Sequence, residues 1–145
     1  MADLTYREAL RRALDEELMR DDRVFLMGEE IGRFEGSYKV TAGLWAKYGP
    51  KRVRETPISE EGFVGAGIGA AMMGLRPVVE IMTINFILMA VDQVVNHASK
   101  IHYMFGGQAR VPLVIRTPSA ASASWRRRTR RASRTGLLTA RGSRW

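Results

Sequence analysis

ETPISEEGFVGAGIGAAM, residues 55–72, is the stretch on which the reading of this chain turns. Two acids, Glu60 and Glu61, stand directly ahead of a run made almost entirely of glycine, alanine and small aliphatic residues. An acid in that position fits an ordinary helix start, a phosphate cradle, or a carboxylate held out for chemistry. Ser59 can cap a helix, and both glutamates favour its positive end, each contributing about 0.3–1 kcal/mol. One carboxylate would serve that purpose as well as two. Glu60 also adjoins the small-residue face, where a side chain is readily buried, and a buried carboxylate facing a ring nitrogen can hold and pass a proton.

The glycines argue against a phosphate cradle. Gly65, Gly67 and Gly69 form Gly-x-Gly-x-Gly, but the dinucleotide fingerprint needs its glycines in the strand-to-helix turn. Here they fall inside the helix, where each costs about 0.5–1 kcal/mol relative to alanine. Several together point to close packing. Gly65, Gly69, Ala66 and Ala70 offer a flat face that fits either a contact within the chain or one between subunits. The first strand-to-helix turn is Gly28-Glu29-Glu30, whose acids would repel a pyrophosphate.

Working outward, helix and strand signals alternate. Thr5 and Glu8 have capping-box spacing, and an apolar stripe from Ala9 to Leu18 predicts a helix to about Arg20. Val24–Met27 reads as a strand ending in Gly28-Glu29-Glu30, Gly32–Lys39 as a loop, and Thr41 as the cap of a short helix through Tyr48. Val53–Glu55 is a second strand. The glycine-alanine helix then runs to about Met73, with Gly74 as its stop. Val78–Met82 is a third strand, Ile87 to about Tyr103 a long helix, Gly106-Gly107 a turn, and Val111–Arg116 a fourth strand. Strands separated by helices imply an α/β fold with a parallel sheet covered by helices on both faces. In such sheets ligands bind beyond the carboxyl ends of the strands, here near Gly28–Glu30, Thr56–Glu61 and Thr83–Phe86.

Composition narrows the functional classes. The 145 residues amount to one domain at most. The formal charge of +8 is entirely in the last part: residues 1–118 hold 15 basic and 15 acidic side chains, whereas residues 119–145 hold eight arginines and no acid. The neutral part offers no patch for nucleic acid, and neither nucleic acid nor membrane is expected as a partner. With no cysteine there is no disulfide framework or thiolate site. His97 and His102 are too few for a zinc centre without carboxylates and read as surface or packing residues. A polar amino terminus and the lack of a long apolar run lead to the expectation of a cytoplasmic protein.

The residues now carry a resemblance. GEEIGRFEGSYKVTAGLWAKYGPKRVRETPISEEGFVGAGIGAAMMGLRPVVEIMTINF, followed by AVDQVVNHASKIHYMFGGQARVPLVIR, resembles the amino-terminal pyrimidine-binding domain of the β-subunits of thiamine-diphosphate-dependent 2-oxo acid dehydrogenases. ISEEGF and GLRPVVEIMTINF are nearer the pyruvate branch than the branched-chain or acetoin branches. The likeness covers residues 4–118 and implies a thiamine-diphosphate-binding fold in its pyrimidine-binding module, incomplete here. It further implies an α-subunit and a second β-subunit as partners in an α2β2 assembly, a dihydrolipoyl acyltransferase core that receives the acyl group, and pyruvate as substrate. Glu60, in the ISE motif, would hydrogen-bond the pyrimidine ring nitrogen and act as the proton-transfer residue. Phe86 would pack on that ring, and Glu29 would line a water-filled tunnel between two active sites. The Leu113 carbonyl would help bind a structural potassium ion. No Gly-Asp-Gly motif for a magnesium diphosphate is present, and the resemblance assigns that half of the cofactor to the α-subunit.

After Pro118 the resemblance stops. Residues 119–145 read as a basic and disordered arm, but codon arithmetic suggests another origin. If each original codon joins the last base of one tail codon to the first two of the next, Thr129, Arg130 and Arg131 become His-Ser-Gln, and Arg141 to Trp145 become Pro-Gly-Leu-Lys-Val. The recovered pattern matches the continuation of the family. The expectation is therefore an out-of-frame translation from about residue 119 to an early stop, which removes the family's catalytic histidine and carboxyl-terminal domain. A chain of that composition is expected to have little or no dehydrogenase activity.

Overall fold

The computed structural model describes residues 4–119; the expectations about the basic arm lie outside them. Four strands, β1 (Val24–Glu29), β2 (Val53–Thr56), β3 (Arg76–Glu80) and β4 (Val114–Arg116), form one sheet in the order β2-β1-β3-β4, every neighbouring pair parallel. The expected α/β architecture is present, and β1 is buried along its whole length, as parallel strands between helical layers are.

Successive side chains of β1 go to opposite faces, and the core divides accordingly. Val24 and Leu26 pack with Leu18 of helix α1 (Tyr6–Arg20), Leu44 of α2 (Leu44–Arg52), Ile31 and Val53. Phe25 and Met27 pack with Val79 and Ile81 and with Phe63, Val64 and Ile68 of α3 (Glu60–Met72). Each large apolar side chain buried in these layers contributes about 1.5–3 kcal/mol. Two glycines set how closely the layers approach. A Cβ on Gly67 would lie 2.7 Å from Val79 Cγ2, and one on Gly28 would overlap the Glu80 carbonyl across the β1–β3 pairing.

Helix α1 begins as expected, with both halves of the Thr5–Glu8 capping box formed. Its last carbonyls are held by one side chain. Arg52 donates to the carbonyls of Leu18 at 2.7 Å and Asp21 at 2.9 Å, and its Nε donates to that of Val24 at 2.7 Å. These bonds tie the end of α1 to the start of β1 and satisfy acceptors that the helix leaves free.

Several local expectations need correction. Thr41 does not cap α2: it is 1% exposed, its hydroxyl has no partner, and the helix starts after Gly43, whose left-handed backbone (φ 77°) makes the turn. The Gly43 N–H donates to Glu35 instead. The helix also passes Tyr48, because Gly49 (φ 75°) kinks the chain and Pro50 starts a second short helical piece, a place where its missing N–H is harmless. Ser59 makes no side-chain capping bond to α3; its hydroxyl lies over Gly62. Gly74 does end that helix, at φ 95°. The long helix expected from Ile87 to Tyr103 is three pieces: a 3-10 segment (Ile84–Ala90), a π segment (Gln93–Ala98) and a short α4 (Ile101–Met104). Ser99 donates its hydroxyl to the Val95 carbonyl while its N–H reaches back to Val94, and such side-chain competition unwinds a regular helix. Among the described residues no helix is long and apolar enough to cross a membrane.

Candidate functional site

The carboxyl ends of β1 and β2 and the first turn of α3 meet at one edge of the sheet. Alternation sends Phe25, Met27 and then Glu29 toward the α3 face. The register pairs Leu26 with Val53, both packed on the α1 side, so three residues on, Glu29 and Thr56 are partners whose side chains project toward α3. Glu60 opens that helix. The edge thus gathers Glu29, Thr56 and Glu60.

All three are unusual in their surroundings. Glu29 is 3% exposed and Glu60 7% exposed, and the Glu29 Oε1 and Thr56 Oγ1 atoms are buried with no hydrogen-bond partner. Burial pushes the Glu29 carboxyl up from the ordinary 4.5 to about 7, with the negative charges of Glu60 and then Glu30 adding to the effect. A carboxyl poised there gains or loses a proton near neutral pH, as an acid–base group requires. The loop that follows β1 carries three left-handed residues that are not glycine, Glu30 (φ 55°), Glu35 (φ 65°) and Lys39 (φ 57°). Such conformations persist only where the surrounding structure holds them, and they cluster at functional sites.

The remaining sequence-predicted residues lie elsewhere on the fold. Phe86 lies in the 3-10 segment after β3, 37% exposed, its N–H bonded to the Thr83 carbonyl at 3.0 Å, and the segment packs on α3. Leu113 sits one residue before β4 with its side chain in the α3-side core, its Cδ1 3.6 Å from where a Gly67 Cβ would be. His102 bonds the Ala109 carbonyl at 2.8 Å and His97 approaches Asp92 at 3.5 Å, both on the outside of the fold. Among the described residues no group of three or more His, Asp or Glu side chains is placed to hold a metal ion.

The expected flat face of α3 divides in two. Gly65 is covered within the chain, a Cβ there lying 3.1 Å from Gln93 Oε1, whereas Gly69 has nothing within 4 Å. Gly62, Ala66, Gly69 and Met73 form an exposed stripe.

Two functional-looking residues were missed from the sequence. Glu80 and Arg116 are register partners on β3 and β4, and their side chains form a hydrogen-bonded ion pair within the sheet. Burial raises the Glu80 carboxyl while Arg116 opposes the rise. The pair belongs to the opposite face from Glu29, since Glu80 is the register partner of Gly28. Nearby, the missing side chain of Gly36 leaves room between Glu80 and the unpartnered Thr41 hydroxyl. The signal was available: one acid inside PVVEIM and one base inside LVIR, each alone in an apolar strand.

The α3-side edge fits one kind of ligand half. Buried carboxyls and an unpartnered hydroxyl suit a neutral nitrogen heterocycle, with hydrogen bonds to its ring atoms. They do not suit a diphosphate, because Glu29, Glu30 and Glu60 dominate the edge and Arg116 is engaged by Glu80 on the other face. The residues therefore match the pyrimidine half of thiamine diphosphate and leave its charged half to another surface.

Known proteins resemble the chain over most of its length. The family model described as "Transketolase, pyrimidine binding domain" matches residues 2–124. "Pyruvate dehydrogenase E1 component subunit beta" from Rickettsia bellii is 57% identical over 119 residues, which is 82% of this chain and 37% of that protein. The mitochondrial proteins of the same description from Bos taurus and Caenorhabditis elegans are 57% and 54% identical over 120 residues, covering 83% of this chain and 33% and 34% of theirs. The chain thus spans about a third of the length of the curated relatives it matches. With the parallel sheet, the acid at the head of α3 and a family match over most of its length, the chain belongs to the transketolase pyrimidine-binding domain family.

Proposed function

We propose that this chain is the pyrimidine-binding part of the β-subunit of a pyruvate dehydrogenase E1 component, working with an α-subunit on pyruvate and passing the acetyl group to a lipoyl acyltransferase. The observation that carries the reading is Glu60: a carboxylate 7% exposed at the first turn of α3, coupled by charge to the buried Glu29. The wording of the relatives' names supports the choice of pyruvate over other 2-oxo acids.

Thiamine diphosphate, when bound, supplies the carbon acid and the electron sink for decarboxylation. Glu60 would hold the pyrimidine ring by a hydrogen bond to a ring nitrogen and keep a proton at that atom. Phe86 would pack on the ring and fix its plane. Glu29, neutral more readily than an ordinary carboxylate, would take up or return a proton beside Glu60 without placing a second full charge there. The diphosphate and its magnesium belong to the α-subunit in this reading, a second β-subunit completes an α2β2 assembly, and the Leu113 carbonyl contributes to a potassium site. The proposal also includes a frame change near residue 119, which the nucleotide sequence past codon 118 tests directly.

The test uses a β-subunit carrying these residues, assembled with its α-subunit and loaded with thiamine diphosphate and magnesium. Glu60→Gln is expected to slow hydrogen exchange at the reactive thiazolium carbon by about 10²–10⁴-fold, the usual contribution of a proton-transfer residue. Cofactor affinity should change far less. Exchange and pyruvate decarboxylation within a few-fold of the parent enzyme would overturn the assignment.

A further inference from the structure

Glu29 and Thr56 end their strands side by side. They are register partners at the last paired position of β1 and β2, their side chains project to the same face, and each buries an oxygen without a partner in the fold. The chemistry is complementary: a hydroxyl is a donor with a rotatable proton, and a carboxyl oxygen is an acceptor. Leaving both unsatisfied would cost about 1–3 kcal/mol each, and buried polar atoms in native folds are almost always satisfied by protein or ordered water.

The charged groups around this edge offer Glu29 no donor. Among the charged groups near this edge, Glu60 comes from α3 and Glu30 from the loop of Glu29 itself, and both are acids that repel it. Glu80 on β3 is held by Arg116 on β4, on the opposite face of the sheet. Glu55 on β2 is turned toward the Gly32–Arg33 backbone, where it accepts the Arg33 N–H at 3.3 Å. Thr56, its register partner, carries a hydroxyl that can give Glu29 a proton to share.

We infer that Thr56 is the positioning residue of Glu29, holding one ordered water that bridges its hydroxyl to the Glu29 carboxyl. Thr56 then governs how readily Glu29 ionises, while touching no substrate or cofactor itself. A water there satisfies two orphaned atoms at once, and a polar site with several such atoms is where a buried water is retained. The inference concerns the proton affinity of Glu29, so it stands or falls independently of whether Glu60 meets a cofactor.

The test is the titration of Glu29 in the full 145-residue chain, read from its side-chain carboxyl 13C shift, with Glu29→Gln to assign the signal. Thr56→Val, which keeps the shape but removes the hydroxyl, is expected to move the midpoint upward by about half a unit or more, because the ionised form loses a donor. Thr56→Ser should return it to the parent value. A midpoint unmoved in Thr56→Val, or raised equally in Thr56→Ser, would overturn the inference. A crystal structure of the unmodified chain provides a measurement that needs no variant. Density for a water within about 3.2 Å of both oxygens is expected, and a site without it refutes the bridge.

Discussion

Glu80 and Arg116 face each other as register partners on β3 and β4, and each is a charge that an apolar strand carries into the sheet. Their pairing is a joint condition: either alone would leave an uncompensated buried charge. It also pins β4, only three residues long, to β3 in a single register, since a slip by one residue would send Arg116 to the other face.

From that arrangement, Arg116→Ala and Glu80→Ala should each destabilise the chain by about 3–5 kcal/mol, the usual result of breaking a buried pair. Replacing both together with apolar residues of similar size should cost much less than the sum. Urea unfolding of the four chains in a double-mutant cycle measures this, and additive losses would mean that the two side chains do not interact.

The order of helices and strands was legible because the apolar runs alternate with 3.6-residue stripes, and the site edge was legible because Gly28-Glu29-Glu30 and Ile58-Ser59-Glu60 interrupt those runs with acids. The faces were not. β1 is apolar on both sides, so nothing in Val24–Met27 says that Glu29 projects toward α3; only the register with β2 and the alternation of the packed residues does. The caps assigned to Thr41 and Ser59 failed for a related reason. Both residue types favour helix starts, but Thr41 is taken into the core and Ser59 enters its helix with an unusual backbone (φ −167°, ψ 74°), and tertiary context overrode propensity at each. Residues 87–103 read as one helix because their apolar spacing is right. Spacing does not reveal that turns of different width stack in succession there.

A glycine of β1 and one of α3 should behave oppositely. Gly28→Ala would drive a Cβ into the Glu80 backbone carbonyl, which cannot yield without breaking the β1–β3 pairing, so unfolding or a loss of several kcal/mol is expected. Gly69→Ala meets nothing within 4 Å and should stabilise the isolated chain by about 0.5–1 kcal/mol through helix propensity. Thermal melts of the two variants check the contrast. Equal destabilisation would show that α3 lies closer to a neighbour at Gly69 than this packing allows.

At the amino terminus, Thr5→Ala removes both the hydroxyl that accepts the Glu8 N–H at 3.3 Å and its bond to the Glu8 carboxylate at 2.6 Å. A loss of about 1 kcal/mol is expected, the typical value for an N-cap. Thr5→Ser should recover most of it. Hydrogen exchange at the first turn of α1 reports the change locally, and unaltered protection in Thr5→Ala would show that the cap contributes nothing.

Glu29 gives the fold a pH dependence whose sign follows from its raised carboxyl. In the unfolded chain it releases its proton near 4.5, and in the folded chain near 7, so between those values the folded state binds more protons. Stability therefore falls as pH rises through that window and levels off above it. Glu29→Gln cannot ionise and escapes the fall. Relative to the parent, it should gain on the order of 1–2 kcal/mol between pH 5 and pH 8, a figure below the full shift because water near the exposed Glu30 screens the charges. Urea midpoints of the two chains across that range decide the matter. Parallel curves would mean that Glu29 ionises at an ordinary pH in the folded protein and that its proton is not available to Glu60 near neutrality.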